Sequence, residues 1–211
     1  MVTRLKLDRM ISEIEEKIAL NNSVRDAFFK FDREFFVPTG FKHLAYKLEA
    51  LPMSANQWIS SPLTVAKVTN NLDINHKVDS ILEIGCGSGY QAAILSTLSR
   101  RVFTIERIDT LLKSAKARFF ALEMMNIITK FDDGQKGWVE HAPYDRIVLS
   151  AAIKTIPPTL FEQLSDDGIL IAPIKYGDYE MLTKYSKIDG KIIKEDIGLC
   201  KFVPILNGTE R

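Results

Sequence analysis

Three glycines set two apart, Gly85, Gly87 and Gly89, end the apolar run Ser80-Ile81-Leu82-Glu83-Ile84 and lead into a helical stretch from Gln91 to Leu98. Such a run reads as a buried parallel strand. Glycines directly after it let the backbone turn sharply and approach a ligand with no Cβ in the way. The dinucleotide fingerprint sets its third glycine three places after the second, with a pyrophosphate on the helix N-terminus. Here Gly89 follows Gly87 by two, and an acid, Glu83, precedes the loop. That pattern suits a ligand without a pyrophosphate, although taken alone the loop is only a strand, a turn and a helix. A second apolar run, Arg101-Val102-Phe103-Thr104-Ile105-Glu106, ends in an acid about twenty residues beyond the start of the loop, where a nucleoside ribose is read. The two oxygens of Glu106 can accept hydrogen bonds from both vicinal hydroxyls. A capping role for Glu106 on the next helix is the weaker alternative, because Asp109 already offers that cap and a favourable charge for the helix dipole.

The rest of the chain must hold these residues in place. Its 211 residues fit one domain with a sizeable core, 1–211, preceded within that domain by a helical and loop segment over 1–72. With 28 basic and 27 acidic side chains the net charge is +1, so no global field marks nucleic acid or an anionic membrane as partner. Two cysteines, no secretory leader and no membrane-length apolar run point to a reducing cytoplasm. Cys86, inside the glycine loop, reads as a small filler rather than a nucleophile. No metal site is expected, because His43, His76 and His141 are scattered and each reads as a surface or packing residue.

Leu7, Met10, Ile11, Ile14 and Ile18 recur at helical spacing and predict an amphipathic helix over Leu5 to Ala19, with a second over Val24 to Phe31. These two form a lid or a buttress. Leu51 to Pro62 is a loop rich in hydroxyl and amide groups, leading to a helix from Leu63 to Asn71, and either Ser60 or Ser61 could cap that helix. Beyond Glu106 the alternation continues: helix Asp109 to Leu122, strand Ile127 to Phe131, strand Tyr144 to Ser150, and a helix from Pro157-Pro158 to Leu164. A turn at Asp166-Asp167-Gly168 then precedes strand Ile169 to Ile174. Strands Met181 to Ile188 and Lys191 to Val203 meet at Asp189-Gly190, a strong hairpin signal. The pattern predicts an α/β fold with a mostly parallel sheet, a C-terminal antiparallel hairpin and helices on both faces. Ligands in such sheets lie beyond the carboxyl ends of the strands, where Gly85, Glu106, Asp133 and Ala151 all fall. Asp133 is expected at an adenine.

The glycine loop with its preceding acid resembles motif I of S-adenosylmethionine (SAM) methyltransferases, and the order of the flanking motifs resembles one family of them, the protein-L-isoaspartate O-methyltransferases. The marks are Arg33-Glu34-Phe35-Phe36-Val37-Pro38, His43-Leu44-Ala45-Tyr46, Leu51-Pro52 leading to Gln57 and Ile59-Ser60, and Leu82 to Tyr90. Val102 to Arg107, Asp133-Gly134, Gly137-Trp138, His141 to Asp145, Ala151-Ala152 and Phe202-Val203-Pro204 follow in order. The resemblance spans about Val24 to Ile205 and implies a Rossmann-like class I methyltransferase sheet. It implies SAM as cofactor, held by Glu83, Gly85, Gly87, Ser88, Gly89, Glu106, Arg107, Asp133 and Gly134. Its substrates would be isoaspartyl-containing proteins and peptides, bound by Gln57, Trp58, Ile59, Ser60, Ala151 and Ala152, with Ser60 contacting the reacting centre. A monomer in the cytoplasm, with neither nucleic acid nor membrane as partner, completes the expectation.

The chain departs from the family pattern where a glycine usually precedes the glutamine and a threonine follows it: here stand Asn56 and Trp58, and residue 61 is Ser where glutamine or alanine is usual. An indole in place of threonine would narrow the peptide channel or repack against it. Three rival readings remain at this level. A nicotinamide oxidoreductase would share the sheet but not the glycine spacing, and a SAM-binding module without turnover, or a methyltransferase for another carboxylate, would share the cofactor loop.

Overall fold

The computed structural model describes residues 2–211. Helices α1 (Val2–Glu15), α2 (Asn22–Lys30) and α3 (Pro62–Asn70) come first, with a small hairpin of β1 (Leu51–Pro52) and β2 (Trp58–Ile59) before α3. Then follow β3 (Val78–Ile84), α4 (Tyr90–Leu98), β4 (Ser99–Glu106), α5 (Asp109–Ala121), β5 (Ile127–Phe131), β6 (Tyr144–Leu149) and α6 (Pro158–Glu162). Strands β7 (Leu164–Tyr176), β8 (Tyr179–Ile188) and β9 (Lys191–Cys200) end the series. The seven-stranded sheet has the order β5-β4-β3-β6-β7-β8-β9. Its first five strands run parallel, and β7-β8-β9 pair antiparallel. The Asp189-Gly190 turn has positive φ at both residues, 49° and 72°, which matches the twist of the strands it joins.

Alternation along the parallel strands sends successive side chains to opposite faces. Ile81, Val102 and Val148 join one core with residues from α1 to α5, whereas Leu82, Phe103, Ile147 and Leu149 join a second core with Leu160 of α6. The expected class I methyltransferase architecture is therefore present, with five helices on one face and one short helix on the other. The N-terminal helices act as a buttress: Met10, Ile14 and Phe28 are buried in the first core, and Phe28 meets Tyr90 edge-on at 6.3 Å.

Several boundaries differ from the sequence reading. Helix α1 ends at Glu15, and α6 ends at Glu162 because Leu164 already pairs with Tyr144 of β6. The turn expected at Asp166-Asp167-Gly168 is an irregularity inside β7, with Asp167 at φ 61° and a register shift against Tyr144 and Arg146. Strand β9 stops at Cys200, and the chain after it crosses the carboxyl end of the sheet.

Between α2 and α3 the chain has little regular structure, yet one side chain fixes it. Arg33 is fully buried and donates to three carbonyls: Nη1 to Ala45 at 2.6 Å, and Nη2 to Glu49 at 3.2 Å and Ser60 at 3.0 Å. Burial lowers its pKa to about 10, so it stays charged at neutral pH. Arg33→Met leaves three carbonyls without this donor and should lower the unfolding free energy by about 3 kcal/mol. Urea titration reads this directly, and a loss below about 1 kcal/mol would show that the segment is fixed by other contacts.

Candidate functional site

The sheet order reverses beside β3, since β4 lies to one side of it and β6 to the other, and a crevice opens there beyond the strand ends. The cleft holds about 900 Å³ of space including its open mouth. Its floor is the glycine loop, where the Gly85 amide donates to Ile105 O at 2.9 Å and the Gly89 amide to Cys86 O at 2.9 Å. Gly85 and Gly87 take φ of 97° and 53°, a region that side chains other than glycine rarely adopt. Burial pushes the Cys86 thiol well up, which leaves it protonated and unreactive in the floor of the cleft.

Glu106 sits at the end of β4 and is only 5% exposed. Its Oε2 accepts the Gly87 amide at 2.8 Å and its Oε1 accepts the Ile108 amide at 2.9 Å. Each oxygen has a second lone pair for a ligand facing the cleft. The expectation that Asp109 would cap the following helix is corrected here. Asp109 is the first residue of α5 and pairs with Lys113 at 2.6 Å, while Ile108 at the cap position makes no side-chain capping hydrogen bond. The amide before the helix is held by Glu106 instead.

Of the residues singled out from the sequence, Gln57, Trp58, Ile59, Ser60, Gly85, Gly87, Ser88, Glu106, Arg107, Asp133, Gly134 and Ala151 line this one cleft. Three others do not. Gly89 is a packing glycine at the start of α4, where a Cβ would fall 2.7 Å from the Phe119 ring. Ala152 lies behind the wall, its backbone exchanging hydrogen bonds with Val203 O and the Ile205 amide at 2.8 Å each. Glu83 is buried inside the sheet, where Oε2 accepts from Thr104 Oγ1 at 2.6 Å and Oε1 has no partner.

The two loop serines divide their tasks. Ser61 Oγ accepts the Thr64 amide at 3.1 Å and caps α3. Ser60 faces the cleft with its carbonyl fixed by Arg33, and among the described residues no group hydrogen-bonds to its hydroxyl.

A family model for protein-L-isoaspartate(D-aspartate) O-methyltransferase matches residues 6–210. The chain belongs to the protein-L-isoaspartate(D-aspartate) O-methyltransferase family. A member from Helicobacter pylori (strain P12) is 48% identical over 207 residues, covering 98% of this chain and 99% of the relative. Another, from Maricaulis maris (strain MCS10), is 43% identical over 188 residues, covering 89% and 88%. Among solved structures, a protein-L-isoaspartate O-methyltransferase aligns with a TM-score of 0.85 at 23% identity, over 97% of this chain and 67% of its own. A putative one from Plasmodium falciparum, in complex with S-adenosyl-L-homocysteine, aligns with a TM-score of 0.81 at 19% identity, over 94% and 97%. At those identities the two structures bear on the fold.

What the sequence reading missed in this family member is the tail. Val203, Pro204, Ile205 and Leu206 form one wall of the cleft, although Phe202-Val203-Pro204 stood out only as a family mark. Beyond them, the Gly208 amide donates to Asp133 Oδ2 at 2.8 Å, and Arg107 Nε donates to Gly208 O at 2.9 Å. Asp133 and Arg107 thus reach the cleft while their polar atoms hold the tail across it. Met53, Tyr90, Ile108 and Ser150 also line the cleft; Met53 and Tyr90 fall inside stretches already singled out, whereas no local pattern marks Ile108 or Ser150.

Burial, with the Glu106 charge nearby, raises the Glu83 carboxyl from an ordinary 4.5 to about 8, against the opposing hydrogen bond from Thr104. A raised acid binds its proton more tightly in the folded chain, so this stability is complete below about pH 4.5 and is lost as pH rises toward about 8. Glu83→Gln removes that dependence. The wild type should lose stability relative to the variant by about 1 kcal/mol per pH unit across that window. Parallel pH profiles of the two proteins would remove this assignment.

Proposed function

We propose that this chain transfers the methyl group of SAM to the α-carboxylate of L-isoaspartyl residues in damaged proteins and peptides, the reaction for which its relatives are named. One observation carries the reading at the level of residues: the free hydroxyl of Ser60 opens into the same cleft as the glycine loop and Glu106, while Ser61 alone caps α3. The cleft fits the cofactor. Gly85 and Gly87 present backbone without side chains for the methionine part, the carboxylate of Glu106 suits the ribose hydroxyls, and Asp133 and Gly134 lie where an adenine would rest. When bound, SAM supplies a methyl group on a sulfonium, a strong electrophile.

The protein's own work is then to bind, orient and exclude water. The isoaspartyl carboxylate is already ionised at neutral pH, so no residue needs to act as a base. Ser60 orients that carboxylate through its hydroxyl, and Arg33 fixes the Ser60 carbonyl so that the hydroxyl stays aimed. Gln57, whose Nε2 turns back to Ala55 O at 3.2 Å, and Ile59 border the same end, with Ala151 opposite. Holding two reactants at about 3 to 3.5 Å in line converts a rare encounter into an effectively intramolecular step.

We propose a monomer as the active form, which light scattering of the active protein tests. Cys86 and Cys200 are both free, which supports a reducing cytoplasm. No helix among the described residues is long and apolar enough to cross a membrane.

Two measurements test the proposal. Glu106→Ala should weaken SAM binding by about 1 to 3 kcal/mol by calorimetry, and an unchanged affinity would end the ribose assignment. Turnover of an isoaspartyl peptide beside its aspartyl isomer addresses the substrate. Ser60→Ala should lower kcat on the isoaspartyl peptide with SAM affinity retained, whereas Ser61→Ala should cost about 1 kcal/mol of stability and leave methyl transfer largely intact. The reverse pattern would put the two serines out of register.

A further inference from the structure

The two tryptophans of the chain are treated in opposite ways. Trp138 packs edge-on against Phe103 at 5.6 Å and against His141 at 4.9 Å. Trp58 leaves 54% of its surface exposed, and among the described residues no aromatic ring or cation packs on its indole. It stands on the rim of the cleft, two residues from Ser60.

Its position is held rather than loose. Trp58 pairs with Pro52 across the β1-β2 hairpin, and the Met53 amide donates to Gln57 O at 2.9 Å. The tip is closed by Ala55 and Asn56 with φ of 56° and 52°. Two successive left-handed residues make the tight turn that joins twisted strands, and for an alanine this conformation costs energy that the surrounding structure must over-determine. The hairpin therefore fixes the backbone that carries this exposed indole at the rim.

Charge around the cleft is uneven. Its charged lining residues, Glu106, Arg107 and Asp133, stand at the end of β4 and in the loops after β4 and β5, and their polar atoms hold the glycine loop and the tail. Around Trp58 the lining is Met53, Gln57, Ile59 and Ser60, and the tail wall adds Val203, Pro204 and Leu206, the last 49% exposed. Among the described residues, the cleft lining at that end includes apolar surface and no acidic or basic side chain. A peptide whose isoaspartyl carboxylate reaches Ser60 brings its neighbouring side chain against this rim.

We propose that Trp58 sets the sequence preference of the enzyme, selecting isoaspartyl sites flanked by a large apolar or aromatic side chain that covers the exposed indole. The inference rests on the isoaspartyl reading and deepens it. A flanking ring gains burial and an offset or edge-on contact with the indole, whereas a flanking carboxylate would be desolvated with no cation to meet it.

The test uses three isoaspartyl peptides of equal length that differ only in the flanking residue: phenylalanine, alanine or glutamate. For the wild type, kcat/KM should fall about tenfold from phenylalanine to alanine and further for glutamate. In Trp58→Ala the phenylalanine-to-alanine ratio should collapse to near unity, with the loss carried by KM rather than kcat, while Trp58→Phe should retain most of the preference. Calorimetric binding of S-adenosylhomocysteine serves as the folding control. Equal ratios in wild type and Trp58→Ala, or no preference in the wild type, would overturn this inference alone. Absence of methyl transfer to all three peptides would instead overturn the isoaspartyl reading, and this inference with it.

Discussion

The carboxylate of Glu106 ties together the two loops on which the site is built. One oxygen holds the Gly87 amide of the loop after β3, and the other holds the Ile108 amide of the loop after β4. Hydrogen bonds to a charged acceptor are shorter and stronger than neutral ones, and two from one rigid carboxylate fix the separation of the loops as well as their orientation. The loop after β3 needs such a restraint. Its glycines reach conformations that let backbone approach a ligand, and the same freedom would let an unrestrained loop wander. Preorganisation of this kind means that the binding surface is not ordered at the ligand's expense.

Arg33 does for the β1-β2 end of the cleft what Glu106 does for the glycine-loop end, with the signs exchanged. It is a buried cation with no carboxylate partner among the described residues, compensated by the carbonyls of Ala45, Glu49 and Ser60. A buried charge in this state is costly unless each donor finds an acceptor, and its Nε is left without one. The arrangement persists because it draws three distant points of an irregular segment onto one planar group. The β1-β2 hairpin and the start of α3 are tied to it through the Ser60 carbonyl.

Much of this was legible in the sequence wherever the cause is local. The run from Ser80 to Ile84 announces a strand buried on both faces, and Glu106 lies where the end of a second strand must place it. Asp189-Gly190 gave the hairpin because its two positive φ angles favour those residue types. Features that depend on distant partners were not legible. Gly89 shares the left-handed backbone of its neighbours in the glycine series, φ 85°, but its further need, to spare the Phe119 ring thirty residues away, has no local trace. Ser60 and Ser61 are equivalent as caps before Pro62 until Arg33 takes the carbonyl of one. The wall formed by residues 203 to 206 exists because Ala152 holds the tail there, a pairing with no trace in either segment alone.

The β1-β2 hairpin is a sheet of its own, sharing no ladder with the seven-stranded sheet that carries the glycine loop and Glu106. Substitutions along residues 53 to 58 therefore do not pass through the strand pairing that places the glycine loop and Glu106. One rim of the cleft can be reshaped while its floor keeps the same frame.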